Sequence, residues 1–240
     1  DIVSVYGNAE LAKVSVDAYI DEKSIHTEFS EEAITEAKKI ELYGIKQSEI
    51  DSRLDLRRLP IFTIDGADTK DIDDAISIEK TADGFKLGVH IADVSFYVKK
   101  GSALDKEAFQ RGTSIYIADR VIPMLPKELS NGICSLNPQT DRLAFSCLMD
   151  IAESGEIKKF KFVKTVIRSR VQGVYKEINA ILDGSADEAV KAKYSEVLNE
   201  IPVMNQLAAI LQRNRENRGA PEIDTVETKI ICDENGRCID

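Results

Sequence analysis

The run from Ile61 to Ile78 constrains this chain more than any other stretch. Asp65, Asp68, Asp71, Asp73 and Asp74 place five carboxylates within ten residues, against a single cation, Lys70. Apolar residues alternate on either side, with Ile61, Phe62 and Ile64 before and Ala75, Ile76 and Ile78 after. Such alternation predicts two half-buried strands. The acids therefore belong to the ends of buried strands and not to a solvated tail.

Two like charges 4 Å apart repel by roughly 4 kcal/mol at an effective dielectric near 20. A fold that gathers several must protonate some, point them apart, or hold them with a cation. Asp71 and Asp73 are two apart and share a face if the chain is extended there. Asp74 then faces the other way unless a turn redirects it, and Gly66 permits the chain to bend after Asp65. Carboxylate-only donors favour a hard cation such as Mg²⁺ or Mn²⁺. A charged surface turn and a metal-free acid/base pair of carboxylates fit the same residues. A calcium EF-hand does not, because no window starting at Asp65, Asp68 or Asp71 has the required Asp spacing, glycine and terminal glutamate.

With 240 residues, 43% hydrophobic and 31% charged, the chain has the apolar content for a core of its own. Its net charge of −10 argues against nucleic-acid binding over the whole surface, though not against a local basic track. Cys134, Cys147, Cys232 and Cys238 form no Cys-x-x-Cys pair, and His26 and His90 are the only histidines. That pattern disfavours zinc and implies no disulfide framework, so a cytoplasmic protein is expected. No apolar run reaches the length of a membrane span, and no signal peptide is expected. The chain starts at Asp1 without Met and stops at Asp240, and it is expected to be a fragment of a longer protein.

Short apolar stretches in residues 1–27 are too brief to close a core. A helix is predicted from Ser30 to Leu42, capped by Ser30 and ended by Gly44. Strands are predicted over Phe85–Val98, where His90 reads as a structural residue. A short helix follows at 102–111, a strand at Thr113–Ile117, and an extended proline segment from Ile122 to Pro126. Leu143–Ala152 and Ile157–Ile167 read as strands around Ser154-Gly155. Helices near 187–201 and 205–218 are expected to be separated by Pro202, and a strand with a turn at Asn235-Gly236 closes the chain.

From Lys158 to Lys176 seven basic residues occur, including Lys164, Arg168 and Arg170, with Phe160, Phe162 and Tyr175 interleaved. Cations that follow phosphates and rings that stack on bases suit single-stranded nucleic acid. A solvated strand face fits the same pattern. Acids beside such a track point to metal-assisted phosphodiester hydrolysis, with carboxylates as ligands and water-orienting groups.

The Asp65–Ala75 segment resembles the active-site segment of the ribonuclease II/ribonuclease R (RNB) family of exoribonucleases. So do Gly88–Ser95, Arg111–Tyr116, Arg120–Pro126 and Leu129–Asn137. The resemblance runs from about Leu54 to Asp240. It implies a processive 3′→5′ exoribonuclease that hydrolyses single-stranded RNA to 5′-nucleoside monophosphates with Mg²⁺. Asp65, Asp71, Asp73 and Asp74 fall on the four family aspartates, as metal-binding and catalytic residues. Tyr116 and Tyr175 align with tyrosines that pack against the 3′-terminal bases. Residues 1–50 would be a linker after upstream cold-shock domains, and 51–240 a C-terminally truncated catalytic domain lacking the family's downstream Arg and Glu. A monomer is expected. The fold class expected is α+β, a strand-rich core like a decorated OB barrel with peripheral helices. Helices that cluster late disfavour a doubly wound sheet. The competing class is a non-catalytic RNA-binding module.

Overall fold

The structure, a computed structural model, describes every residue except 1, 3, 118, 119, 222–230, 232, 235, 236 and 240. The helices are α1 (Ala12–Glu22), α2 (Glu31–Tyr43), α3 (Gln47–Asp51), α4 (Val94–Tyr97), α5 (Ala103–Arg111), α6 (Tyr175–Asp183), α7 (Glu188–Lys193) and α8 (Glu200–Asn217). The strands are β1 (Leu54–Asp55), β2 (Ile61–Asp65), β3 (Asp74–Thr81), β4 (Gly84–Ala92), β5 (Ile115–Ile117), β6 (Arg120–Ile122), β7 (Asp141–Ala152) and β8 (Ile157–Val174). Residues Glu128–Ile133 form a kinked helical segment in which Gly132 leaves the helical conformation, at φ −98° and ψ −111°. The mixture is α+β, as expected. Among the described residues no helix is long and apolar enough to cross a membrane.

Two compact units divide the chain. One combines residues 1–38, 99–126 and 223–240, the other 39–98 and 127–222. The expected boundary at 50/51 falls inside the second.

The second unit is built on a six-stranded sheet of order β1-β8-β2-β3-β4-β7, in which β7 pairs with β8 again. Five strands thus close into a barrel. Neighbours along the chain pair antiparallel, and the parallel pair β2–β8 makes the closure. One barrel face carries small or polar side chains, among them Ala75, Ser77, His90, Ser146 and Thr165, all buried. The other face is apolar and takes the helices. Phe62 and Val171 pack with Ile178, Tyr194, Val197 and Ile201, while Ile78, Phe85 and Ile151 pack with Leu207. A third cluster, with Ile61, Ile72, Ala75, Ala92, Leu136, Ala144 and Ile167, underlies the acidic stretch.

Arg53 is a buried cation in this unit. Its Nε donates to Glu49 at 2.7 Å, its Nη1 to the Ala144 carbonyl at 3.3 Å, and its Nη2 lies 2.8 Å from Asp93 Oδ2. Burial pushes the Asp93 carboxyl up, but hydrogen bonds from Arg53 and Ser95 outweigh it and hold it below its ordinary range.

The first unit is smaller. The Ser30 hydroxyl accepts from the Ala33 amide and caps α2, and Ser102 does the same for α5 through Asp105. Ala33, Ala37, Leu104 and Ala108 are buried. The Arg111 guanidinium lies over the Phe29 ring at 3.7 Å and donates to the carbonyls of His26 and Glu28.

Several expectations are corrected. Residues 94–97 turn into α4 where a strand was predicted. Pro202 does not separate two helices: it is the third residue of α8, in the first turn, where a missing N–H leaves no intrahelical bond unmade. The helix expected over 187–201 is only α7, and α6 was not foreseen. Residues 12–22 form α1 within a stretch read as loose. The Asn235-Gly236 turn and most of the strand expected around it lie outside the described residues.

Candidate active site

The barrel delivers the acids from two strand ends. Asp65 is the last residue of β2, and Asp74 the first of β3. Asp71 and Asp73 lie in the irregular loop between them, which is not the extended run that would put them on one face. Hydrogen bonds to three other elements fix this loop. The Ala92 amide donates to the Asp73 carbonyl at 2.9 Å, and the Leu136 amide to the Ile72 carbonyl at 2.8 Å. Ser135 Oγ accepts from the Ile72 amide at 3.1 Å and donates to the Lys70 carbonyl at 2.7 Å. Gln172 Nε2 donates to the Thr69 carbonyl at 3.0 Å.

Two of the acids, Asp65 and Asp73, have raised pKa values. Burial first, then the charges of Asp74 and Asp71, raise the Asp65 pKa, and Thr63 opposes the shift. Asp73 exposes its side chain, yet desolvation by the surrounding chain raises its pKa, followed by the charges of Asp71, Asp74 and Asp65. The sequence argument from crowding thus holds. Asp68 is exposed on the turn and contributes to neither shift.

A divalent cation fits these residues on two grounds. Asp65 Oδ2 is buried without a hydrogen-bond partner, a cost of about 1–3 kcal/mol that a ligand would relieve. The donor set is wholly carboxylate, the chemistry of a hard cation. The side chains are not gathered in advance: among the described residues no three His, Cys, Asp or Glu form a group able to hold a metal ion. His90 lies elsewhere, in the barrel, with Nε2 3.0 Å from Ser77 Oγ and Nδ1 2.8 Å from Ser146 Oγ, a satisfied structural residue as read from sequence. Burial, and then the Asp73 charge, push the Cys134 thiol up to about 12.

Of the expected RNA contacts, Tyr175 stands beside the acids. It follows Val174, the residue paired with Asp65, and is 61% exposed at the start of α6. The Val174 amide donates to Tyr194 Oη, which donates to Glu177, so the start of this helix is fixed. Tyr116 lies in the first unit, exposed on the β5–β6 hairpin. Arg168 and Arg170 are engaged within the fold: Arg168 pairs with Asp141 at 2.7 Å, and Arg170 donates to the Arg57 carbonyl and pairs with Glu196. Lys164 is exposed.

Sequence reading did not single out Ser135, Gln172 or Phe145. Phe145 is 45% exposed and stacks on Phe162, with ring centroids 6.0 Å apart and planes within 5°. It lies in one cross-strand row with Asp74, Ile91 and Lys164. Ser135 falls in a segment that carries the family resemblance, but no local pattern marks Gln172 or Phe145.

The RNB domain matches residues 53–240. Ribonuclease R 1 of Lactococcus lactis is 41% identical over 236 residues, 98% of this chain and 28% of that protein. Ribonuclease R of Thermotoga maritima is 47% identical over 215 residues, 89% of this chain and 30% of that protein. The structure of Mycoplasma genitalium RNase R in complex with ribose methylated single-stranded RNA superposes with a TM-score of 0.90 at 31% identity, covering 98% of this chain and 36% of that one. The chain thus spans less than a third of the length of these two curated relatives. Both the sequence match across the barrel and acid loop and the shared fold establish that this chain belongs to the RNB domain family.

Proposed function

We propose that this chain is the acid-bearing catalytic part of an exoribonuclease that shortens single-stranded RNA from its 3′ end and releases 5′-nucleoside monophosphates. The observation that carries the reading is that Asp65 and Asp74 end and begin the strands on either side of the loop that carries Asp71 and Asp73, with Asp65 paired to the residue before an exposed tyrosine. A module that only bound RNA would gain nothing from acids beside a phosphate chain. The relatives are named ribonuclease R, and one of them is solved with single-stranded RNA.

Asp65, Asp71, Asp73 and Asp74 would hold Mg²⁺ or Mn²⁺. Such an ion supplies Lewis acidity, making water more acidic and offsetting charge on the phosphoryl oxygens. Asp73, exposed and raised in pKa, is the carboxylate suited to orient water and take its proton. Tyr175 stacks on a base near the reacting phosphodiester, and Lys164 attracts the phosphate chain. Contacts to the 2′-hydroxyl would select RNA over DNA. Free cysteines among the described residues fit a reducing compartment, the cytoplasm, and the protein is taken to act as a monomer.

The test incubates 5′-labelled single-stranded RNA with the chain, with and without Mg²⁺, beside Asp73→Asn. Progressive 3′ shortening that needs both Mg²⁺ and Asp73 is expected. Undiminished turnover in Asp73→Asn, or turnover in the presence of EDTA, would sink the assignment.

A further inference from the structure

The loop from Gly66 to Asp73 carries like charges and has no regular structure to hold it, so it should relax until the carboxylates part. Besides the backbone bonds from the Ala92 and Leu136 amides, two side chains oppose that from different sides. Ser135 is fully buried, and its hydroxyl bonds the Lys70 carbonyl and the Ile72 amide, the groups that flank Asp71. Ser135 is held in turn, because its carbonyl accepts from Arg142 Nε at 2.7 Å while Arg142 Nη2 reaches the Gly132 carbonyl at 3.1 Å. Gln172 reaches from β8 to the Thr69 carbonyl. Neither side chain offers an anionic donor, so neither is suited to bind a cation as strongly as a carboxylate does.

We infer that Ser135 and Gln172 are positioning residues for a divalent cation. They hold the backbone on both sides of the loop so that Asp71 and Asp73 are offered together with Asp65 and Asp74. The inference rests on the reading of those four acids as cation ligands. It assigns to two neutral side chains outside the cluster a share of the restraint that the Ala92 and Leu136 amides also provide. Outer partners of this kind typically govern metal affinity by about 10- to 100-fold.

The test titrates Mn²⁺ into the 240-residue chain by calorimetry, for the wild type, Ser135→Ala, Gln172→Met and Leu207→Ala. Leu207 is a buried residue of α8 that packs with Ile78, Phe85 and Ile151 in a separate cluster, so its variant reports loss of stability alone. Expected is Mn²⁺ binding in the wild type, weakened about 10- to 100-fold by Ser135→Ala and by Gln172→Met, with Leu207→Ala lowering the melting temperature but leaving Mn²⁺ affinity unchanged. Should Ser135→Ala fail to fold, Gln172→Met carries the test, since Gln172 is only half-buried and methionine keeps its volume. Binding in the wild type with equal affinity in both variants overturns the inference alone. No binding in the wild type overturns the cation reading, and the inference with it.

Discussion

Asp65 and Val174 lie directly opposite one another where β2 runs parallel to β8. Paired strands are about 4.8 Å apart, so the chain leaves the barrel at Val174 next to the first acid and enters α6 with Tyr175. The tyrosine is thereby tied to the carboxylates by backbone geometry. Tyr175→Ala should weaken single-stranded RNA binding by about 1–3 kcal/mol, the worth of one stacked base, while Tyr175→Phe keeps most of the affinity. Fluorescence anisotropy in an Asp73→Asn background, where turnover is removed, measures it. Equal affinity in Tyr175→Ala would remove this residue from the RNA path.

The same strand pair depends on Gly173. A Cβ at this position would sit 2.3 Å from the Thr63 carbonyl oxygen, and backbone cannot swing away as a side chain can. Gly173→Ala must part β2 from β8 two residues before Asp65. A loss of about 1–3 kcal/mol of stability is expected, read from the urea midpoint, together with reduced Mg²⁺-dependent hydrolysis. A variant with unchanged midpoint would show that the closure tolerates a wider gap than the geometry allows.

The acids at strand ends were legible because alternation and charge crowding are local patterns. A barrel was expected only through the family resemblance, and which strands close it was not legible in any local pattern. The pair Asp65–Val174 joins residues far apart in sequence, and nothing near either one signals it. The ion pairs of Arg168 with Asp141 and of Arg170 with Glu196 were not legible either, because the partners are distant in the chain. The start of α6 was hidden by Tyr175 and Lys176, which extend the basic run of β8, although Ile178, Ile181 and Leu182 already have helical spacing and do pack together. Pro202 was read as a breaker because the rule for helix interiors was applied to a first turn.

Crowding also has a measurable cost before any cation binds. Burial and then the charges of Asp71, Asp74 and Asp65 raise the Asp73 pKa, so its ionised form is disfavoured in the folded state relative to the unfolded chain. At pH 7 that form is a destabilising one. Asp73→Asn should therefore raise the melting temperature in EDTA at pH 7, even as it abolishes hydrolysis. The gain should shrink as pH falls through the raised carboxylate pKa, where the wild type becomes neutral too. Mg²⁺ should raise the wild-type melting temperature in proportion to its occupancy, and less in Asp73→Asn. A lowered melting temperature in EDTA would mean that Asp73 is held by favourable contacts and not by constraint.

His90 sets the response to acid on the other side of the barrel wall. It is fully buried, and desolvation lowers its pKa from 6.5 to about 4. Folded His90 stays neutral and bridges Ser77 and Ser146, and Ser146 Oγ lies 2.6 Å from Thr165 Oγ1, so the network joins β3, β4, β7 and β8. As pH falls below 6.5 the unfolded chain takes up a proton that the folded chain refuses. Stability contributed above 6.5 is therefore lost down to about pH 4, where the folded imidazole titrates as well, and the loss then levels off. The shift corresponds to about 3 kcal/mol over that window. Urea midpoints at pH 7 and pH 4.5 should differ more for the wild type than for His90→Gln, which keeps hydrogen-bonding groups but does not titrate. The carboxylates are common to both proteins, so the difference between the two pH responses isolates His90. Parallel responses would show that the imidazole is charged in the barrel or that protons reach it without unfolding.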